Sequence, residues 1–266
     1  MEISNNTILI TGGTSGIGLE LATRFLGLGN TVIVTGRDQG KLEETKKKFP
    51  KIHTIESDVN DPSAIVLLYE KVTKGFPELN VVVNNAGIMR KINLQDRGSD
   101  LVDIAREIET NLAGPIRMVK QFLPHLKTKK SAAIVNVSSG LAFVPFPISP
   151  VYCAAKAGIH SFTQSLRIQL KNTNIKVFEL APPGTETPLF KGDFTADDVK
   201  GIKPMDVHVL GKHAINGFKR DVLEIRPGLS NVLKLMSRLA PQFMVNQLGK
   251  STDEMLAPGK SDKGIS

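Results

Sequence analysis

Residues Thr7-Ile8-Leu9-Ile10-Thr11-Gly12-Gly13-Thr14-Ser15-Gly16-Ile17-Gly18 decide how this chain is read. Thr7–Thr11 is a short apolar run that ends at glycines, the pattern of a buried strand. From Gly16 onward, Leu19, Ala22, Phe25 and Leu26 recur at helical spacing. A strand therefore passes through a glycine-rich turn into a helix. Glycine allows a tight turn and a close approach of the main chain to a ligand. A helix N-terminus presents unpaired N–H groups and the positive end of the dipole. Together these features make a cradle for a dinucleotide pyrophosphate. The spacing Gly12-x-x-x-Gly16-x-Gly18 departs from the commoner G-x-G-x-x-G.

The rest of the chain repeats this strand–helix rhythm. Strands are expected at Thr31–Thr35, His53–Ser57, Val81–Asn84, Ala132–Ser138 and Ile175–Leu180. Helices are expected near Lys41–Phe49, at Pro62–Lys74, as one long element over Leu101–Leu126, and at Tyr152–Lys171. The strands are continuously apolar rather than alternating, as when both sheet faces are covered. Strand–helix repetition with short connections implies an α/β, Rossmann-type doubly wound parallel sheet with helices on both faces. After Leu180 the rhythm weakens. Asp197–Lys219 holds helical segments, Val222–Ile225 suits a last strand, and Leu229–Leu239 reads as an amphipathic helix. That helix packs on the body or meets a membrane surface or another subunit. One catalytic domain is expected over residues 1–248, with a mobile, Gly/Pro/Ser-rich tail over 249–266.

The 266 residues are ample for a core without staples. With 41% hydrophobic and 23% charged residues the composition is that of a globular chain, not a disordered or fibrous one. No apolar run is long enough for a transmembrane helix, and the N-terminus lacks the pattern of a signal peptide. Cys153 is the one cysteine, so no intrachain disulfide forms, and a cytoplasmic location is expected. The net charge is +8. Lys46–Lys48 and the lysines of Lys127–Lys130 fall where helices end and read as solvated ends. No nucleic-acid motif accompanies them, and stacking aromatics are scarce, with two Tyr and no Trp.

Further motifs follow in order. Asp58-Val59 comes after the third strand, Asn84-Asn85-Ala86-Gly87 ends the fourth, and Asn111 lies in the long helix. Asn136-Val137-Ser138-Ser139 ends the fifth and precedes Tyr152-Cys153-Ala154-Ala155-Lys156. With the Thr11–Gly18 loop, this ordered set resembles the short-chain dehydrogenase/reductase family over roughly residues 5–190. The resemblance implies one domain carrying both cofactor and substrate sites, with catalytic Asn111, Ser139, Tyr152 and Lys156. Its cofactor set would be Gly12, Thr14, Ser15, Gly16, Ile17, Gly18, Asp58, Val59, Asn85, Ala86, Gly87, Tyr152, Lys156, Pro182, Thr185 and Thr187.

Tyr152 and Lys156 are four residues apart and share a helix face. A free phenol, with a pKa near 10, is a poor acid–base at neutral pH; a neighbouring ammonium is expected to lower it. In the reducing direction Tyr152 would give a proton to a carbonyl oxygen as hydride reaches the carbon. Ser139, thirteen residues before the tyrosine, has the family spacing for the hydroxyl that holds that oxygen. Ser138 is the runner-up. Asn111 would, by resemblance, bind a water that relays protons from Lys156.

The end of the second strand, Thr35-Gly36-Arg37-Asp38, bears on the cofactor. A carboxylate there would accept from a ribose 2′-OH; a guanidinium suits a 2′-phosphate. Gly36 holds the strand-end place, so Arg37 points to NADP(H). Asp38, twenty residues past Gly18, is the competing ribose ligand unless it caps a helix. Ser15 offers a further phosphate contact. Pro182-Pro183-Gly184-Thr185-Glu186-Thr187 departs from the family's Pro-Gly-x-x-x-Thr, with Pro183 in the glycine's place.

Leu141, Phe143, Val144, Phe146 and Ile148, with Phe190, make an apolar lining for a hydrophobic ketone or aldehyde, or simply core. Cys153 reads as packing. The His residues lack metal-ligand spacing, so no metal is expected. The reading is an NADPH-dependent carbonyl reductase. The alternative is a catalytically idle NADP-binding regulatory or scaffold protein on the same fold. Wide apolar arcs over Ile104, Ile108, Leu112 and Ile116, and over Ile159, Phe162, Leu166 and Ile168, predict a homodimer or homotetramer.

Overall fold

The computed structural model describes residues 1–96, 100–199, 201 and 203–256. Seven strands, β1 (Thr7–Thr11), β2 (Thr31–Gly36), β3 (His53–Glu56), β4 (Leu79–Asn84), β5 (Ala132–Val137), β6 (Ile175–Leu180) and β7 (Glu224–Ile225), form one sheet. Their order is β3-β2-β1-β4-β5-β6-β7, and every pairing is parallel. The order reverses between β1 and β4, so a crevice opens beyond the carboxyl ends of those strands.

Successive strand residues face opposite ways, and each face gathers its own core. Ile8, Ile10, Val32 and Val34 point with Phe178 toward Phe25 of α1 (Gly16–Gly27) and Phe218 of α8 (Val207–Lys219). Leu9, Ile33, Val82 and Ile134 point the other way. They meet α3 (Pro62–Gly75), α6 (Gly114–Lys127) and α7 (Pro150–Gln169) through Leu68, Phe122 and Leu166. This is the doubly wound sheet expected from the sequence. The lysine clusters do close helices: Lys46, Lys47 and Lys48 end α2 (Gln39–Lys48), and Lys127 ends α6. Each sits where cations oppose the helix dipole.

The expected single helix over Leu101–Leu126 is broken. It comprises α4 (Leu101–Ile104), α5 (Arg106–Ile108), a π-helical turn over Glu109–Ala113, and α6. Two residues account for the break. Pro115 has no N–H to return to the Asn111 carbonyl four residues earlier. Gly114 packs so tightly on Val59 that a Cβ there would lie 2.9 Å from the Val59 carbonyl oxygen. The chain takes up the wider π turn, in which the Gly114 N–H reaches back five residues to Glu109.

The C-terminal region also differs from expectation. After α9 (Leu229–Leu239) comes α10 (Pro241–Met255), begun by a proline in its first turn. The expected mobile tail from residue 249 is therefore helical as far as Met255, while residues 257–266 lie outside the described residues. Leu248 and Met255 pack against Phe146, Ile148, Tyr152 and Cys153. That contact holds the helix down despite its polar composition. Among the described residues no helix is long and apolar enough to cross a membrane.

Candidate active site

The crevice is a cavity of about 390 Å³ running from the Gly12–Ile17 loop past Arg37 and Asp58 to Tyr152 and Lys156. Its floor requires glycine. Gly12 has φ +63°, and a Cβ on it would lie 2.8 Å from Ala86 Cα. Gly18 lies beneath the loop, where a Cβ would lie 2.3 Å from the Gly12 carbonyl oxygen. Ser15 precedes α1 without capping it through its side chain. The first N–H groups of that helix thus remain available to an anion. Asn85 donates to the carbonyls of Thr11 and Gly12 at 2.9 and 3.0 Å. Thr11 Oγ1 accepts from the N–H groups of Asn85 and Ala86. Asn85 and Thr11 thereby fix the loop's shape. An uncapped helix end, a glycine floor and a locked loop fit a dinucleotide.

Gly12, Thr14, Ser15, Gly16, Ile17, Arg37, Asp58, Val59, Asn85, Ala86, Gly87, Tyr152, Lys156, Pro182 and Thr187 all line the cavity. Gly18 supports the loop from below. Thr185 is not among the lining residues; its hydroxyl donates to the Pro183 carbonyl at 2.8 Å. Beside Pro183, the Pro182 carbonyl accepts from Gly140 N at 2.8 Å. Asp38 caps α2, accepting from the Lys41 N–H at 3.1 Å. Lys41, which the sequence reading passed over, lines the cavity beside Arg37. Its signal was its place one helical turn beyond Arg37.

At the inner end, Ser139 begins the short 3₁₀ turn Gly140–Ala142. Its hydroxyl accepts from Leu141 N at 3.1 Å and lies near enough to the Tyr152 phenol to favour its ionised form. A glycine follows Ser139 because α9 presses on this turn. A Cβ on Gly140 would lie 2.7 Å from Ser230 Oγ and 3.1 Å from Leu233 Cδ1. Ser138 borders the cavity, whereas Ser139 is not among its lining residues, but the Ser138 hydroxyl is spent on Glu179, to which it donates at 2.5 Å. Ser139 is therefore the free partner of the tyrosine.

Lys156 Nζ lies 5.6 Å from the centre of the Tyr152 ring and donates to the Val137 carbonyl at 2.9 Å. Burial lowers its pKa to about 8, with Glu179 acting in opposition. Burial pushes the Tyr152 phenol up, Ser139 pulls it down, and Cys153 and Glu107 add to the rise. The expectation that the ammonium would depress the phenol is thus reversed: desolvation dominates. Tyr152 holds its proton. Burial also raises Cys153, to about 11, which suits packing and not a nucleophile.

Asn111 is buried within the π-helical turn. It accepts from Ile88 N at 3.1 Å and donates to the Ile88 carbonyl at 2.8 Å. Its side chain fixes the segment after Gly87, close to Lys156. Glu107, one turn earlier, is a residue the sequence reading missed. It is fully buried, accepts from Arg90 N at 2.8 Å, and is pushed up by burial. A lone glutamate in an amphipathic stretch gave no sign of this.

Such a parallel sheet, with a glycine cradle after β1 and a Ser–Tyr–Lys set on β5 and α7, defines a nucleotide-dependent oxidoreductase. The chain belongs to the short-chain dehydrogenase/reductase family, whose short chain dehydrogenase profile matches residues 6–198. It is 50% identical over 189 residues to the uncharacterized oxidoreductase DltE of Bacillus subtilis, covering 71% of this chain and 75% of that one. It is 36% identical to sulfoacetaldehyde reductase 2 of Chromohalobacter salexigens, covering 69% and 74%. The crystal structure of 3-ketoacyl-(acyl-carrier-protein) reductase from Brucella melitensis complexed with NADH superposes with a TM-score of 0.74. That match is 27% identical and covers 81% of this chain and 91% of that one. This protein is an NAD(P)-dependent dehydrogenase/reductase of that family.

Proposed function

We propose that the chain is an NADPH-dependent reductase that converts a ketone or aldehyde to an alcohol. One observation carries the reading. The Tyr152 phenol is buried at the inner end of the dinucleotide crevice, with the Ser139 hydroxyl near it, and burial raises its pKa so that it keeps its proton. A protonated acid beside a free hydroxyl is what a carbonyl oxygen needs as it becomes an alkoxide.

A nicotinamide cofactor held along the Gly12–Gly18 loop would supply the hydride for the carbonyl carbon. Ser139 donates a hydrogen bond to the carbonyl oxygen, and Tyr152 passes its phenolic proton to that oxygen. Lys156 is placed to hold the ribose hydroxyls and to stabilise the tyrosinate left behind. Asn111 keeps the Gly87–Ile88 segment against Lys156. Arg37 and Lys41 supply two cations for the 2′-phosphate, while Asp38 is engaged as a helix cap. Arg37 has no ion-pair partner among the described residues.

Phe146 and Ile148 do not line the cavity but pack with Tyr152, Met89, Phe194 and α10 into an apolar cluster beside its inner end, surroundings that suit a substrate with an apolar body. The sulfoacetaldehyde reductase likeness supports carbonyl reduction as the reaction class. The buried, unbridged Cys153 accords with a cytoplasmic protein. The catalytic unit expected over residues 1–248 continues through α10 to Met255, which packs beside Tyr152. Consumption of NADPH against a panel of aldehydes and ketones tests the reading. Turnover with an apolar carbonyl is expected; cofactor binding without turnover on any member would favour an idle binding protein.

A further inference from the structure

β6 carries a residue that its position does not call for. Ile175 and Val177 face the apolar layer under α7, and Glu179 continues the same face. Yet Glu179 is 0% exposed. A carboxylate in such a place is costly unless partners satisfy it. Glu179 has them. Ser138 Oγ donates to Oε1 at 2.5 Å, and His160 Nδ1 lies 2.9 and 2.8 Å from the two oxygens. In the Nδ1–H tautomer, His160 donates to Glu179 and takes the Gln164 amide on Nε2 at 2.5 Å. Both donors therefore find Glu179 as an acceptor.

The surroundings locate this charge. Ser138 is the residue after Val137, whose carbonyl seats the Lys156 ammonium. Lys156 and His160 stand one turn apart on the same face of α7. From β7, Glu224 faces the group, and Arg226 pairs with it at 3.2 Å. From α9, Lys234 also pairs with Glu224 and lies over the Phe143 ring. Oxygen and nitrogen atoms of His160, Glu179 and Glu224 come within 4.8 Å of one another. The lysine and arginine on Glu224 make this an ion-pair network and not an open metal cradle. Toward the cofactor side, Lys156 is faced by Tyr152, with Glu107 of α5 beyond it.

Resting on the carbonyl-reductase reading, we propose that Glu179 is a positioning residue: a buried carboxylate behind the Val137–Ser138 turn that keeps Lys156 in its charged, cofactor-holding form. The electrostatics agree, since burial drives Lys156 toward neutrality and Glu179 opposes it. Glu179 touches neither substrate nor cofactor and acts through Lys156.

The test is a pair of pH profiles on the full chain. NADPH affinity is read from the fluorescence of the reduced nicotinamide, and kcat/KM from carbonyl reduction. Glu179→Gln keeps the shape and an acceptor but removes the charge. Its alkaline inflection should move to lower pH by about one unit in both profiles, with little change at pH 6 and below. His160→Arg, which sets a permanent cation against Glu179 and can reach solvent past exposed Gln164, should move it the same way. It decides the matter if Glu179→Gln does not fold. Glu224→Gln should leave both profiles in place. A folded Glu179→Gln or His160→Arg whose inflection stays at the wild-type position overturns the proposal. If the wild type reduces no carbonyl, the functional reading falls, and the binding profile still judges Glu179.

Discussion

Lys156 Nζ donates to the main-chain carbonyl of Val137 at 2.9 Å, tying the helix that carries Tyr152 to the strand that leads to Ser139. The tie places an ammonium in a buried setting, which lowers its pKa from 10.5 to about 8. Between those values the unfolded chain holds a proton that the folded chain has lost. Stability from this group therefore rises with pH across that window. Below about 8 both states are charged, and the full cost of burying the ammonium is present. Lys156→Met should thus be more stable than wild type near neutral pH, by about 1–3 kcal/mol. The gap should close toward pH 10 in urea unfolding. A gap that does not change with pH would mean that the buried charge is not its source.

Tyr152→Phe keeps the ring in its apolar cluster and removes only the hydroxyl, and with it the proton to be donated. Turnover should fall by about 10²–10⁴-fold. NADPH affinity should stay near the wild-type value, because Lys156 and the Gly12–Gly18 loop are untouched. A variant with near-normal turnover would remove Tyr152 from the role of acid.

For the cofactor, the decisive pair is Arg37 and Asp38. Arg37 and Asp38 both line the cavity, but Asp38 also spends a carboxylate oxygen on the Lys41 N–H. Arg37→Ala should weaken NADPH by about 1.5–3 kcal/mol, the range for hydrogen bonds to charged groups. NADH should hardly change. Titration of both cofactors into both proteins checks this. Equal losses would assign the effect to structure, and a wild type that prefers NADH would return the ribose to Asp38.

The parts legible in the sequence were those fixed by local rules. Apolar runs and glycine turns gave the strands and α1, and the Tyr152–Lys156 spacing gave one helix face. The π turn at Glu109–Ala113 escaped because its cause is a distant contact, Gly114 against Val59, joined to Pro115. α10 escaped because its polar composition reads as tail, and only the packing of Leu248 and Met255 near Tyr152 orders it. The direction of the Tyr152 shift escaped for a related reason. Spacing reveals the neighbouring ammonium, but desolvation depends on everything that closes over the phenol. Glu107 and Glu179 gave no signal, since a buried carboxylate is defined by partners far along the chain.

Assembly supplies the last prediction. α6 and α7 bury their inner faces, with Phe122, Ile159 and Leu166 all in the core. They still leave apolar side chains outward: Ile116 is 37% exposed and Ile168 66%. The wide arcs noted in the sequence are thus only partly used by packing on the sheet. Pairing two copies about a two-fold axis would set each helix against its mate and cover these residues. Sedimentation at micromolar concentration should give a dimer or tetramer. Ile168→Lys puts a charge on that outward face without touching the core, so it should shift the population to monomer while leaving the melting transition of the fold in place. A wild-type chain that sediments as a monomer would mean that the sheet-packed helices tolerate Ile168 in solvent and that the subunit completes its site alone.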